Sequence, residues 1–344
     1  MRKLFGAIVV VMVIVAAAAA VSRTAIWGRL HDPFKGYPGD EQFVIVAPGT
    51  GTAAIGRRLV EAGVIRDELA FRAALWWTGR SRDLQAGEYR FDRPMAAVDV
   101  VDRLSRGDVY TRRLTIPEGL TIREMADIFE TRGFGRRTAF IDAAANAALI
   151  EDLDADAVDL EGYLFPETYA LPRDTPAARL IRMMVDRFRA TYVDDLRRRA
   201  AAEGLTTRQV VTLASLVEKE TAQAQERPVV AAVYRNRMKI GMALQADPTV
   251  VYAMQKAGKY NGNIRRDDLA IDSPYNTYRY PGLPPGPIAA PGAASLEAAL
   301  MPAPVSYLYF VSRNDGSHVF SQTLAEHNRN VREFQVLYFR RSSR

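Results

Sequence analysis

Few residue types in this chain can do bond-breaking chemistry. It has no cysteine and only three histidines, His31, His318 and His327. Disulfides, thiolate nucleophiles and thiolate metal sites are therefore excluded, multi-histidine metal sites and cofactors are not expected, and proton transfer is expected to rest on carboxylates. The first carboxylate in a suitable setting is Glu218. Val211, Ala214, Ser215 and Glu218 recur at i, i+3, i+4 and i+7, so Glu218 shares a helix face with small and apolar side chains. Desolvation there penalises the charged form, which is what a general acid needs to hold a proton near neutral pH. Glu220 falls about 200° further round the same helix and is expected to be an exposed, structural acid. Lys219 is expected to be exposed, with a local partner.

Downstream, polar and aromatic residues cluster on apparent loops. Gln245 and Asp247 lie in Leu244–Thr249, and Ser273, Tyr275 and Asn276 lie in Asp272–Tyr278, followed by the Pro and Gly series of 282–288. Proline and glycine there fix backbone direction with little entropy to lose. Flat aromatic faces and amide or hydroxyl groups suit a sugar, so Gln245, Asp247, Ser273, Tyr275 and Asn276 are the candidate substrate-binding residues. A β-hairpin follows, Tyr307–Val311 and Ser317–Ser321 around Asn314-Asp315-Gly316, then a last helix from Leu324. His318 and His327 read equally well as titrating or as hydrogen-bonding structural residues.

The elements that must carry these residues include an internal echo. Val44–Gly49 and Leu114–Gly119 each lead from a strand into a helical pattern, and those patterns end at Gly63 and Gly133, all 70 residues apart. Two strand–turn–helix units with glycine stops are expected. Such units resemble the LysM-like modules of cell-wall proteins. Between them, 85–91 reads as a strand and 97–104 as a helix; 174–203 reads as one long helix, 208–221 as the helix of Glu218, and 229–238 as another. With 344 residues, two domains are expected. The net charge of +6 is spread along the chain without a nucleic-acid-binding motif, so no nucleic-acid partner is expected. Leu4 to Val21 is an uncharged run behind Arg2 and Lys3, which predicts a single membrane span with a cytoplasmic amino terminus, cleavage near the Ala16–Ala20 run being the alternative. A linker rich in proline and glycine, His31–Asp40, follows.

Five motifs in order carry a family resemblance: Glu161-Gly162-Tyr163-Leu164-Phe165-Pro166-Glu167-Thr168-Tyr169, Ala214–Thr221, Leu244–Thr249, Ser273–Tyr278 and Asp315–Ser321. Together they resemble the MltG (YceG-like) endolytic murein transglycosylases. Ala246 stands where that family commonly has Ser. The resemblance implies a bacterial inner-membrane, single-pass enzyme with an extracytoplasmic catalytic domain. It would cut peptidoglycan glycan strands between N-acetylmuramic acid and N-acetylglucosamine, leave 1,6-anhydro ends, and terminate elongation near peptidoglycan synthases. It also matches Glu218 to the catalytic glutamate, which would protonate the leaving oxygen and then take the proton of the muramic acid 6-hydroxyl. Two alternatives remain: an inverting muramidase using Glu218 and Asp247, and a non-catalytic, membrane-tethered peptidoglycan-binding protein. The expected fold is α+β: an anchor over 1–22, a linker over 23–42, a LysM-like module over 43–109, and a larger mixed catalytic domain over 110–344 with its glutamate on a helix.

Overall fold

The computed structural model describes residues 26–338 together with Met12, Arg23, Thr24 and Arg340. The expected anchor over 1–22 thus lies outside the described residues, Met12 apart. Among the described residues no helix is long and apolar enough to cross a membrane. The chain divides into two compact units, one of 1–112 with 170–173 and one of 113–169 with 174–344.

In the first unit, β1 (Gln42–Val46), α1 (Thr52–Glu61), α2 (Glu68–Thr78) and β2 (Gly87–Phe91) form a βααβ unit, followed by α3 (Ala97–Arg106). β1 and β2 pair antiparallel, with Val44 opposite Tyr89. The alternation along β1 buries Val44 and Val46 and leaves Ile45 outward, the period of a strand with one face on a core. That core joins Leu59, Phe71, Ala74, Tyr89, Val100 and Leu104.

The echo is a repeat of the whole βααβ unit. β3 (Thr111–Thr115), α4 (Ile122–Thr131), α5 (Arg137–Ala144) and β4 (Thr168–Pro172) follow the same order, and β3 is hydrogen-bonded to β4. α1 and α4 have the same length, and each is closed by the same bonds, Gly63 N to Val60 O and Gly133 N to Glu130 O, both 2.9 Å. Both stop glycines are left-handed, at φ 67 and 70°, a region that costs other residues a Cβ clash.

The second unit continues with α6 (Ala177–Thr191), α7 (Asp194–Ala202), α8 (Thr207–Glu220), α9 (Arg227–Lys239), α10 (Asp247–Lys256), α11 (Ala293–Leu300), the hairpin β5 (Tyr309–Ser312) and β6 (His318–Ser321), and α12 (Leu324–Val331). The fold is α+β as expected. The long helix over 174–203 is two: Val193 is extended (φ −69°, ψ 167°), and Asp194 and Asp195 open α7. Acidic residues favour a helix N-terminus, where their charge meets the unpaired N–H groups, so the pair marks a new start. The fully buried Tyr192, stacked on Phe188 at 5.6 Å, anchors the break. α8 is buried on every side: Val210 through Val217 are all buried.

Candidate active site

α8 is the axis of the site. Thr206 and Gln209 cap its start reciprocally, and its last turn delivers Glu218, Lys219 and Glu220. Lys219 is exposed as expected, and it donates Nζ to Gly119 O at 3.0 Å, a partner distant in sequence rather than a local one.

The Glu218 side chain is 5% exposed, so it is withdrawn from water as expected. Its surroundings are nevertheless polar. Oε1 accepts from Arg227 Nη2 at 3.0 Å, and Oε2 accepts from the backbone N–H of Gly292 at 3.0 Å, at the start of α11. Arg227 also reaches Glu118 Oε2 at 3.4 Å. Burial first, then the Glu218 charge, raises the Glu118 pKa, with Arg227 opposing both. Any side chain at position 292 would strike the Glu118 carboxyl, so glycine lets the backbone approach. Glu218 is thus withdrawn from water and held as an acceptor by a cation and a helix N-terminus.

Glu220 is also withdrawn from water, contrary to its reading as an exposed acid. It is half-buried, and its carboxyl accepts from Tyr234 OH on α9 at 2.6 Å. Burial pushes its pKa up to about 7, with the Asp247 charge adding and Tyr234, His318 and Arg237 opposing. A carboxyl poised there can give a proton and take one back at neutral pH.

Four of the five motifs converge on it. Asp247, exposed at the first position of α10, accepts from Tyr278 OH at 2.5 Å. The Asp247 charge adds to the raised pKa of Glu220. Next to Glu220, Thr221 donates Oγ1 to Glu226 at 3.0 Å, and Glu226 accepts from the His318 backbone N–H at 2.8 Å while meeting its Nδ1 at 2.7 Å. Burial would raise the Glu226 pKa, but the His318 and Thr221 contacts outweigh it and hold it low. Arg237, buried, ties Leu308 O and Leu244 O together at 2.6 Å each, so the hairpin and the Leu244–Thr249 loop are fixed by one guanidinium.

The remaining predicted residues separate. Gln245 is exposed and left-handed (φ 50°), a conformation that costs a non-glycine residue about 1–2 kcal/mol. Its backbone N–H is held by Thr277 O at 3.2 Å. Asn276 is fully buried: Nδ2 donates to Leu269 O and Ile271 O, and Oδ1 accepts from Tyr278 N. It is a loop staple with no face left for substrate, because a buried amide spends its groups on the backbone around it. Ser273 Oγ accepts from Tyr275 N at 3.3 Å. Tyr275 lies against Tyr252, ring centroids 4.9 Å apart, with Lys256 over both rings. The fifth motif leads to that neighbourhood. Glu161, buried, accepts from Ile122 N at 3.1 Å and Tyr252 OH at 3.3 Å, and burial pushes its pKa to about 8. It lines a cavity of about 440 Å³ with Ile122, Ile141, Tyr252 and Lys256.

The sequence profile of the YceG-like family matches residues 44–333. This chain belongs to the YceG-like family. Among its relatives, a protein of Bacillus subtilis (strain 168) named endolytic murein transglycosylase is 34% identical over 300 residues, 83% of this YceG-like chain and 82% of the relative. A protein of the same name from Streptococcus pneumoniae serotype 2 is 30% identical over 321 residues, 84% of this chain and 57% of that one. The crystal structure of a YceG-like protein from Listeria monocytogenes matches with a TM-score of 0.58 at 30% identity, covering 84% of this chain and 98% of that one.

Glu220, Tyr234, Tyr278 and Glu226 are the residues that sequence reasoning missed or set aside in this YceG-like chain. A signal existed for two of them: Glu220 and Tyr278 stand inside the quoted motifs.

Proposed function

We propose that this chain is an endolytic murein transglycosylase that cleaves peptidoglycan glycan strands with Glu220 as its proton carrier. The observation that carries the assignment is the convergence on Glu220 of Asp247, Tyr278 and His318 around a carboxyl held near neutrality. Family membership and the names of the relatives supply the substrate class. In the first half of the reaction Glu220 gives its proton to the glycosidic oxygen leaving the muramic acid anomeric carbon. In the second, the 6-hydroxyl oxygen of the same muramic acid bonds to that carbon, and its proton returns to Glu220. The ring so closed is the 1,6-anhydro end, and Glu220 is restored without water or a second carboxylate. The Asp247 carboxyl beside the site favours the protonated Glu220 and stabilises positive charge developing on the sugar. Arg227, bridging Glu118 and Glu218, fixes the wall next to it.

In the same reading the apolar run before residue 23 anchors the chain in the bacterial cytoplasmic membrane with the catalytic unit outside. The first βααβ unit serves as a LysM-like glycan-holding module, and cutting beside peptidoglycan synthases ends strand growth. Mass spectrometry of glycan digested by the purified protein tests the chemistry. Glu220→Gln should lower cleavage ~10²–10⁴-fold, the worth of a general acid–base group. Glu218→Gln should lower it on the order of tenfold, the worth of one charge-assisted hydrogen bond. The reverse order would return the acid role to Glu218. Reducing ends without anhydro sugars would make the protein a hydrolase with Asp247 as base. No cleavage by the wild type would leave a binding tether.

A further inference from the structure

α2 carries an outward face that nothing in the catalytic reading uses. Its inner side, Ala70, Phe71, Ala74 and Leu75, is buried in the core of the first unit. Leu69, Arg72 and Trp76 follow on the other side at i, i+3 and i+7, with Leu69 61% and Trp76 82% exposed. Trp77, beside them and 53% exposed, meets Trp27 edge to face at 5.8 Å, and Trp27 lies 4.1 Å from His31. Ile26 and Trp27 are themselves more than half exposed. A folded unit seldom leaves so much indole and aliphatic surface contiguous in water unless something covers it.

The position of Trp27 identifies the cover. It stands six residues after Val21, the end of the apolar run, and residues 23, 24 and 26–31 are helical. Even at the compact rise of a helix, about 1.5 Å per residue, six residues reach about 9 Å, comparable with the polar layer of about 5–8 Å on each side of the hydrocarbon. Indole rings, apolar in body and polar at the N–H, collect in that layer. Arg23 and Arg72 are exposed on the same segments, and Arg29, also exposed, pairs with Asp67 at 3.7 Å, so the charge of Arg23 and Arg72 suits anionic headgroups. We propose that the Leu69, Arg72 and Trp76 face of α2, with Trp77 and Trp27 at its edge, rests in the headgroup layer of an anionic membrane. The span alone would leave the first unit free to swing on its helix. This second contact holds it against the bilayer surface. The inference rests on the anchored reading of residues 1–22.

The chain has three tryptophans, Trp27, Trp76 and Trp77, so its emission reports on this face alone. With Trp27→Phe, only the two on α2 remain. The full chain carrying that substitution is reconstituted in phosphatidylcholine and phosphatidylglycerol vesicles, with and without bromine on the acyl chains. Docking predicts that brominated lipid quenches most of the emission, that the spectrum shifts to the blue, and that aqueous acrylamide loses its effect. Adding Leu69→Ser and Trp76→Ser should return the remaining emission to the red while the protein still floats with the vesicles. Emission indifferent to bromine and still quenched by acrylamide in floating protein would overturn the docking and leave the anchor standing. Protein that does not float would overturn the anchor and the docking with it.

Discussion

The two βααβ repeats share their element order, and the turns that open their first helices meet opposite surroundings. At the turn of the first, Ala47-Pro48-Gly49 enters α1 with Gly49 at φ 78° and nothing within 4 Å of where a Cβ would stand. At the turn of the second, Pro117-Glu118-Gly119 enters α4 with Gly119 at φ 76°, and Glu218 Cγ and Lys219 Cδ are both 3.7 Å from the same point. Gly119 N donates to Ala290 O at 2.8 Å, and its carbonyl accepts Lys219. Where the first repeat has Pro48, the second has Glu118, which shares Arg227 with Glu218. A turn that the first copy leaves open has become, in the second, one wall of the candidate site. At these turns the side chains and the neighbours differ, which is how one supersecondary unit serves two purposes.

Deep substitutions should test that division hardest. Leu59 and Phe129 occupy equivalent positions and are both fully buried, Phe129 among Phe134 and Phe140. Leu59→Ala should cost ~2–5 kcal/mol and Phe129→Ala ~3–5 kcal/mol by lost contact and residual cavity. Denaturant titration reads the cost. Assays on the folded fraction should show that only Phe129→Ala also impairs cleavage, and equal impairment by both would erase the distinction.

The second difference is one of pH. Glu161, which holds the start of α4, has a pKa near 8, and Glu220 one near 7, both raised chiefly by burial. The folded state therefore binds more protons than the unfolded state between the ordinary carboxyl range and those values. Stability is greatest below about pH 4.5 for these two groups and falls through the window at up to ~1.4 kcal/mol per pH unit for each. Hydrogen exchange across pH 5 to 8, probe conditions of about neutral range, should show protection of α4 declining while that of α1 holds. Glu161→Gln should flatten the decline. Cleavage should likewise fall as pH rises through about 7, because Glu220 must enter the reaction protonated.

Glycine substitutions are finer. Gly49→Ala and Gly119→Ala each force a left-handed alanine, ~1–2 kcal/mol, and thermal unfolding should show similar costs. Only Gly119→Ala should reduce cleavage, since only that turn abuts α8. The smallest effect concerns the caps. Thr121 closes a capping box with Glu124, whereas Gly51, its counterpart, makes no side-chain cap. Thr121→Ala should cost about 1 kcal/mol, and Gly51→Ser should gain a few tenths, on the order of 0.3 kcal/mol. A larger gain at Gly51 would mean that the first repeat was limited by its cap.

The choice between Glu218 and Glu220 shows where periodicity stopped being informative. A helical wheel selects a face when one side meets the core and the other meets water. α8 meets protein on every side from Val210 to Val217, so the face shared with Val211 and Ala214 rightly placed Glu218 out of water but could not place Glu220 in it. Asn276 illustrates the same limit, since an amide that suits a sugar equally suits three backbone groups, and in the fold it took the backbone. Lys219, with no such competition at the exposed end of α8, is exposed as its position implied.

By itself the sequence determined what is local: the two glycine-stopped repeats, the capped start of α8, the hairpin around Asn314-Asp315-Gly316 and the motifs that mark the family. These depend on steric limits and hydrogen bonds within a few residues, which composition and spacing record. Tertiary structure alone decided which neighbours each glutamate at the end of α8 meets and which repeat borders them. Those outcomes follow from burial and from charges brought together across long chain separations, with Tyr234, Asp247 and His318 arriving at Glu220 from three different elements.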